Sequence, residues 1–254
     1  MKVDPETSQT ILSGMGELHL EILVDRMARE FGVQCHVGRP QVSYRETVTG
    51  TAEAEGRFIR QSGGRGHYAV VKVRVEPEPT GNKVVSAIKE GTIPKQFIHP
   101  TIRGIQKGFE SGALAGYPIV NVAVTLIDGA HHEVDSSDID FEVAGDMAFK
   151  EAFGKASPEL LEPIMDLEVV TPEAYMGSII SDVISRRGRV THIETVKGHK
   201  IITALMPLAT SFGYTTALRS LTQGRALNSM QFSRYEPVNE EEKQKLFPFL
   251  STIT

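Results

Sequence analysis

The 254-residue chain contains a single cysteine, Cys35, and no tryptophan. One thiol excludes an internal disulfide framework and fits a reducing compartment; the missing tryptophan excludes nothing. No apolar run approaches the roughly 20 residues a membrane helix needs. The opening Met1-Lys2-Val3-Asp4-Pro5-Glu6 is too polar for a signal peptide. An excess of cations is also missing. The net charge of -5 excludes a chain that coats nucleic acid indiscriminately, although a local basic face is still allowed. There is no Gly-x-x-x-x-Gly-Lys-Ser/Thr phosphate loop, and no convincing nucleophile–base pair. Cys35 and His36 are adjacent in a strand pattern and would face opposite sides. With 40% hydrophobic and 23% charged residues, the composition is that of an ordinary globular protein. The length suits one large domain or two to three small ones.

Three segments follow one another. In the first, Thr10 to Leu12 reads as a short strand. Glu17 to Phe31 reads as a helix with Leu20, Leu23, Val24, Met27 and Phe31 on one stripe, ended by Gly32. Val33 to Val37 reads as a strand. These elements are too few to close a core. In the second segment, Tyr68 to Glu76 alternates as a half-buried strand and Pro94 to Ser111 has helical spacing. Ile119 to Ile127 is another strand. Ser137 then looks like an N-cap with Asp140 three residues on. Ile139, Val143 and Met147, with Ala144, Ala148 and Ala152, are expected to form the buried face of that helix. The third segment reads as strand (Met165 to Val170), helix from Pro172 to about Arg186, a hairpin turning at Lys197-Gly198-His199, helix (Phe212 to Thr222) and strand (Ala226 to Tyr235). That order is the ferredoxin-like arrangement. The acidic tail from Glu240 is expected to be a solvated extension.

Two loops carry the most chemistry. Gln61-Ser62-Gly63-Gly64-Arg65-Gly66-His67 is glycine-rich and basic, and from Arg57 to Arg74 the chain holds five cations and no carboxylate. It is not a dinucleotide fingerprint, because the residues that follow alternate as a strand rather than opening a helix. A plain hairpin loop and a nucleic-acid contact remain as its two readings. The second loop, Gly129 to Ser137, holds His131, His132, Glu133 and Asp135. Its spacing matches neither a zinc finger nor a zincin helix, and it lacks the glycine of a calcium loop. Asp135, Ser136 and Ser137 suit turn and cap formation, which leaves the two histidines either as solvated surface or as contact groups. Arg186, Arg187 and Arg189 follow a helix end, where cations complement the dipole; an RNA-facing patch extended by Arg219 and Arg225 is the competing reading.

Several stretches taken in order give the chain a resemblance. They include Ser13-Gly14-Met15-Gly16-Glu17-Leu18-His19-Leu20-Glu21, the run from Arg57 to Gly66, and His132-Glu133-Val134-Asp135-Ser136-Ser137. Phe149 to Phe153, Leu161 to Met165, Ser185 to Gly188, Phe212-Gly213-Tyr214 and Leu218 to Arg225 continue the series. Over about residues 7–237 the chain resembles bacterial-type elongation factor G, a translational GTPase. The resemblance implies an α+β protein in four parts: the C-terminal half of domain III (1–42, incomplete ferredoxin-like), domain IV (43–161), domain V (162–237, ferredoxin-like) and a tail (238–254). Domain IV is expected to resemble domain 2 of ribosomal protein S5, with a left-handed βαβ crossover.

The resemblance also implies a function. The GTP-binding domain and domain II would lie upstream, so this chain alone is expected to be no enzyme and to need no cofactor, GTP and Mg belonging to the missing domain. The expected partners are the ribosome through its rRNA, the tRNA–mRNA duplex at the decoding centre, and the missing upstream domains. No membrane is implied, and a cytoplasmic or organelle-matrix monomer is expected. The domain IV tip is assigned to Gln61, Ser62, Gly63, Gly64, Arg65, Gly66, His131, His132, Asp135 and Ser136, and a domain V contact to Arg186, Arg187 and Arg189. The chain departs from the family pattern at His131 (usually Tyr), His67 (usually Gln), Thr210 (usually Glu) and Ser211 (usually Met). The last seventeen residues have no counterpart in the resemblance. A recycling or specialised paralogue, a stand-alone ribosome-binding module and, from another class, a metal-dependent hydrolase using His131, His132 and Asp135 are the alternatives.

Overall fold

The computed structural model describes residues 2–3, 9–12, 14, 17–38, 40–61, 66–88 and 92–248. It has mixed α+β architecture with open sheets. The chain divides into two compact units, residues 1–43 with 162–236, and residues 44–161 with 237–254. Among the described residues no helix is long and apolar enough to cross a membrane.

The first unit begins with β1 (Lys2–Val3) paired antiparallel with β2 (Thr10–Ile11), followed by α1 (Glu17–Phe31). Gly32 ends the helix at φ 66°, a conformation easy only for glycine. The strand expected over 33–37 does not form. Val33 and Val37 are exposed and no described strand lies alongside them, so nothing completes a ladder.

The second unit contains β3 (Arg45–Val48), β4 (Ala52–Arg60), β5 (His67–Pro77), β6 (Lys83–Ser86), α2 (Lys95–Ser111), β7 (Val122–His131) and α3 (Asp138–Lys155). Its sheet runs β4-β5-β7-β6, antiparallel except for the parallel β6–β7 pair. Val71, Val73 and Val75 of β5 and Val122, Val124 and Leu126 of β7 point inward and share one core with both helices. Phe97 of α2 stacks on Phe141 of α3 at 4.5 Å, and Phe109 meets Phe149 edge-on at 5.0 Å. Each buried Phe contributes on the order of 2–3 kcal/mol. The helices touch through glycine: a Cβ on Gly104 would sit 2.0 Å from the Glu142 carbonyl oxygen. The buried stripe of α3 is rotated from the expected one. Phe141, Ala144, Ala148, Phe149, Ala152 and Phe153 face the core, whereas Ile139 and Met147 are exposed. The aromatic positions, not the β-branched ones, set which face turns inward.

Glu46 of β3 is wholly buried and accepts backbone N–H bonds from Ala113, Leu114, Ala115 and Tyr117 at 2.7–2.9 Å. Four donors replace the water this carboxylate has lost, and they fix the turn between α2 and β7. Burial, with the Glu46 charge nearby, raises the Tyr117 hydroxyl above its ordinary range.

β8 (Pro158–Pro172) starts in the second unit, where its first residues pair with β3, and continues into the first. After a single helical turn at Glu173–Tyr175 come α4 (Met176–Ser185), β9 (Arg189–Val196), β10 (His199–Pro207), α5 (Leu208–Ser211), α6 (Tyr214–Thr222) and β11 (Leu227–Pro237). The strand order is β11-β8-β10-β9. Leu167, Val169, Ile202, Ala204 and Met206 pack with Ile179, Val183, Tyr214 and Leu218 of the helices. The β9–β10 turn has positive φ at both Lys197 and Gly198, as a tight hairpin of this hand requires. The helix expected over 212–222 begins at Tyr214, after Gly213 at φ 76°, and the short α5 precedes it as an addition.

As far as residue 248 the tail is anchored at Val238 and Phe247 rather than free, although no residue of its helix is buried. Asn239 caps α7 (Glu240–Leu246) by accepting from Glu242 N at 2.8 Å. Val238 N bonds Leu160 O at 2.9 Å, and the Phe247 ring meets Tyr44 and Tyr117 at 5.6 and 5.8 Å. The acidic first turn hid an aromatic anchor seven residues downstream.

Candidate nucleic-acid interface

The β4–β5 hairpin pairs Arg60 with His67, so Gln61 and Gly66 stand at the end of this strand pair. Gln61 and Gly66 are described; Ser62, Gly63, Gly64 and Arg65 lie outside the described residues. The second loop leaves β7, whose last residue His131 pairs with Ala69, and reaches α3 through residues 132–137. The register alone therefore brings both turns to the same end of one sheet.

Hydrogen bonds then join them. The Asp135 carboxylate accepts from Gly66 N at 2.9 Å, and its carbonyl accepts from Tyr68 N at 3.0 Å. Ser136 Oγ donates to Tyr68 O at 2.6 Å and accepts from His132 N at 2.8 Å. A side chain at position 66 would press on Asp135, whose Cγ would stand 3.1 Å from the new Cβ. His132 turns Nδ1 inward, 3.3 Å from Asp135 N and 3.4 Å from Asp135 Oδ2. Its side chain is still 54% exposed. Its ring lies 6.1 Å from that of Tyr68. Ser137 caps α3 as expected, accepting from Asp140 N.

Three features escaped the sequence reading. His67 Nδ1 stands 2.7 Å from Asp140 Oδ1, and Arg60 lies over the Phe58 ring at 5.2 Å. The basic stripe is also largely neutralised. Glu53 pairs with Lys72 at 2.9 Å and with Arg74 at 2.7 Å, and Arg57 pairs with Glu55. Lys72 first, then Arg74, holds the Glu53 carboxyl below the usual carboxylate range. These acids lie just before Arg57, where the carboxylate-free run begins, and strand register brings Glu53 opposite Arg74 and Glu55 opposite Lys72. Among the described residues, what remains at the tip is polar and braced. Among the described residues no group of three or more His, Cys, Asp or Glu side chains is placed to hold a metal ion.

The 186–189 turn is organised differently. Arg186 donates to Asp182 at 3.0 Å and to the Thr210 carbonyl at 3.1 Å, and it lies over the Tyr214 ring. Arg187, at φ 64°, makes a two-pronged pair with Glu162, whose side chain is only 4% exposed. Arg189 is 58% exposed and bonds Glu236.

Comparison with known proteins fits this layout. Consecutive stretches match "Elongation Factor G, domain III" (residues 1–39), "Elongation factor G, domain IV" (40–157) and "Elongation factor G C-terminus" (159–246). The matching models are all domains of one class, the translation elongation factors. Proteins called elongation factor G from Thermotoga petrophila and Thermotoga sp. (strain RQ2) are each 54% identical over 251 residues, 97% of this chain and 36% of their own. A crystal structure from Thermus thermophilus superposes with a TM-score of 0.86 at 35% identity, covering 99% of this chain and 38% of that one. The chain belongs to the elongation factor G family. It spans about a third of the length of the curated relatives it matches. The matched stretches take up residues 1–246 with non-catalytic domains, and the GTP-binding domain is not among them. The C-terminal match reaches residue 246, so most of the tail belongs to the family pattern after all.

Proposed function

We propose that this chain is the ribosome-engaging portion of a translational GTPase that promotes movement of the tRNA–mRNA pair, and that the two joined turns form its probe at the decoding centre. The observation that carries this reading is the chain of bonds from Gly66 through Asp135, Tyr68 and Ser136 to His132. It supports a stiff tip with small, polar, exposed groups, suited to reading the shape, 2′-hydroxyls and phosphates of A-form RNA, where base edges are largely out of reach. Gln61 to Arg65, His131 and His132 would face RNA, with the buried Gly66 bonded to Asp135, and Asp135 and Ser136 shaping the second turn.

In the same reading, residues 43–161 form a domain like domain 2 of ribosomal protein S5 with a left-handed crossover, and 162–237 form a ferredoxin-like domain. The Arg186–Arg189 turn meets large-subunit RNA, with Arg186 and Arg187 holding the turn and Arg189 facing outward. The working protein is a cytoplasmic or organelle-matrix monomer that carries its GTP-binding domain and domain II upstream. A specialised or recycling paralogue is the second reading, favoured by His67, His131, Thr210 and Ser211, which depart from the family pattern.

The test uses the full-length factor with His132→Ala. Single-turnover translocation should slow at least tenfold while ribosome-stimulated GTP hydrolysis changes less than twofold. Equal loss of both activities would overturn the tip assignment.

A further inference from the structure

Asp140 is a buried acid (1% exposed) that lies outside the chain of bonds from Gly66 to His132. It sits in the first turn of α3, and its two oxygens are divided. Oδ2 accepts from the hydroxyl of the N-cap Ser137 at 2.7 Å, and Oδ1 faces His67 Nδ1 at 2.7 Å. A carboxylate can only accept, so the proton of that bond is on Nδ1. The His67 ring is further held against Phe58, at 5.7 Å between centroids, yet its side chain is half exposed. Nε2 has no partner among the described residues. In the neutral ring Nε2 is then an acceptor, the reverse of a ring whose outward nitrogen carries the hydrogen.

We propose that Asp140 is a positioning residue that fixes His67 in the Nδ1–H form, so that Nε2 offers the tip a hydrogen-bond acceptor for a ribose 2′-hydroxyl. This rests on the tip being an RNA-facing surface. A 2′-hydroxyl can donate, and it is the group that separates RNA from DNA. Phosphate oxygens cannot donate to Nε2, so the backbone alone does not satisfy this site. The hydrogen bond from His67 to Asp140 also ties the start of β5 to the start of α3, so the acceptor is held by both elements that support the tip.

The experiment is 15N NMR of the uniformly 15N-labelled 254-residue chain, reading histidine ring nitrogens and backbone amides, alone and titrated with a short RNA duplex or the DNA duplex of the same sequence. Free protein should show His67 protonated at Nδ1 and bare at Nε2. RNA should shift Nε2, DNA should not, and RNA should bind about three- to tenfold more tightly. Asp140→Ala should move the proton to Nε2 and abolish the preference. Asp140→Asn, which keeps one accepting oxygen, should restore much of it. Ser137→Ala, which disturbs the same cap but leaves the acceptor to His67, should behave as wild type. A ring protonated at Nε2 in the free protein overturns the proposal. Equal shifts with RNA and DNA also overturn it while leaving the tip reading intact. No response from any of residues 61, 66, 67 or 131–136 to either duplex sinks the tip reading and the proposal together.

Discussion

The two polar turns of the second unit and the arginine turn of the first contrast in what their charges do. At the tip, two acids, Asp135 and Asp140, face inward. They bind backbone and side-chain donors, and imidazoles are left at the surface. At residues 186–187 the cations face inward, to Asp182 and to the nearly buried Glu162. A count of charges in a window treats these turns alike. The direction of each charge is set by partners that strand register and helix spacing deliver from elsewhere. The groups that remain outside are those whose neighbours have already been satisfied.

This contrast can be broken from either side. The largest effect is expected for Glu162→Ala, which removes the nearly buried carboxylate that Arg187 pairs with. The cost should be about 2–3 kcal/mol, below the range for fully enclosed pairs because Arg187 is partly exposed. Chemical denaturation monitored on the first unit measures it, and a change under about 0.5 kcal/mol, the scale of a surface pair, would show that the arginine turn is ornamental to folding. Ser136→Ala removes a bond to each turn and should cost about 1–2 kcal/mol. Hydrogen exchange at His132 N should speed up correspondingly, with α4 protection unchanged. Arg189→Ala, exposed and paired only at the surface, should stay within about 0.5 kcal/mol of wild type.

Alkali gives a separate handle on the first unit. Burial, followed by the nearby Asp182 charge, pushes the Tyr214 hydroxyl up to about 12. A raised value in the fold means that the neutral form is favoured there. The contribution is complete below the ordinary tyrosine value near 10 and is lost as pH climbs from there through about 12. The hydroxyl has no hydrogen-bond partner among the described residues. Tyr214→Phe should therefore be close to neutral at pH 7 and should unfold less readily than wild type at pH 11. Equal alkaline sensitivity of the two proteins would contradict this account.

Much of the fold is legible along the chain. The alternation in β5, the helical spacing of α2, the Ser137 cap and the Lys197-Gly198 turn all act locally, so residues close in sequence reveal them. β3, β4 and β6 do not announce themselves. β4 carries Gly56 in its middle because the backbone of α3 lies against it, a Cβ there standing 2.3 Å from Ala144 O. That constraint comes from a helix almost ninety positions away. Glu46 likewise sits in a strand as an apparently soluble acid, while its four donors lie beyond residue 112. The tip was readable as two turns with turn-forming acids; that the acids of one turn hold the backbone of the other was not. The His67–Asp140 contact had half a signal, since the Asp140 position in the cap pattern was plain but its second oxygen was not accounted for.

In the proposed function, Asp135 and Ser136 hold His132 outward as part of a surface that meets RNA in the ribosome's decoding region. The most direct test attaches a short-range cleavage or crosslinking probe at position 132 of the full-length factor bound to ribosomes carrying tRNA and mRNA. The account predicts cuts or links in small-subunit decoding RNA and in the tRNA–mRNA pair, lost when Asp135 and Ser136 are both replaced by alanine. Links confined to other parts of the ribosome, from a factor that still binds, would contradict it.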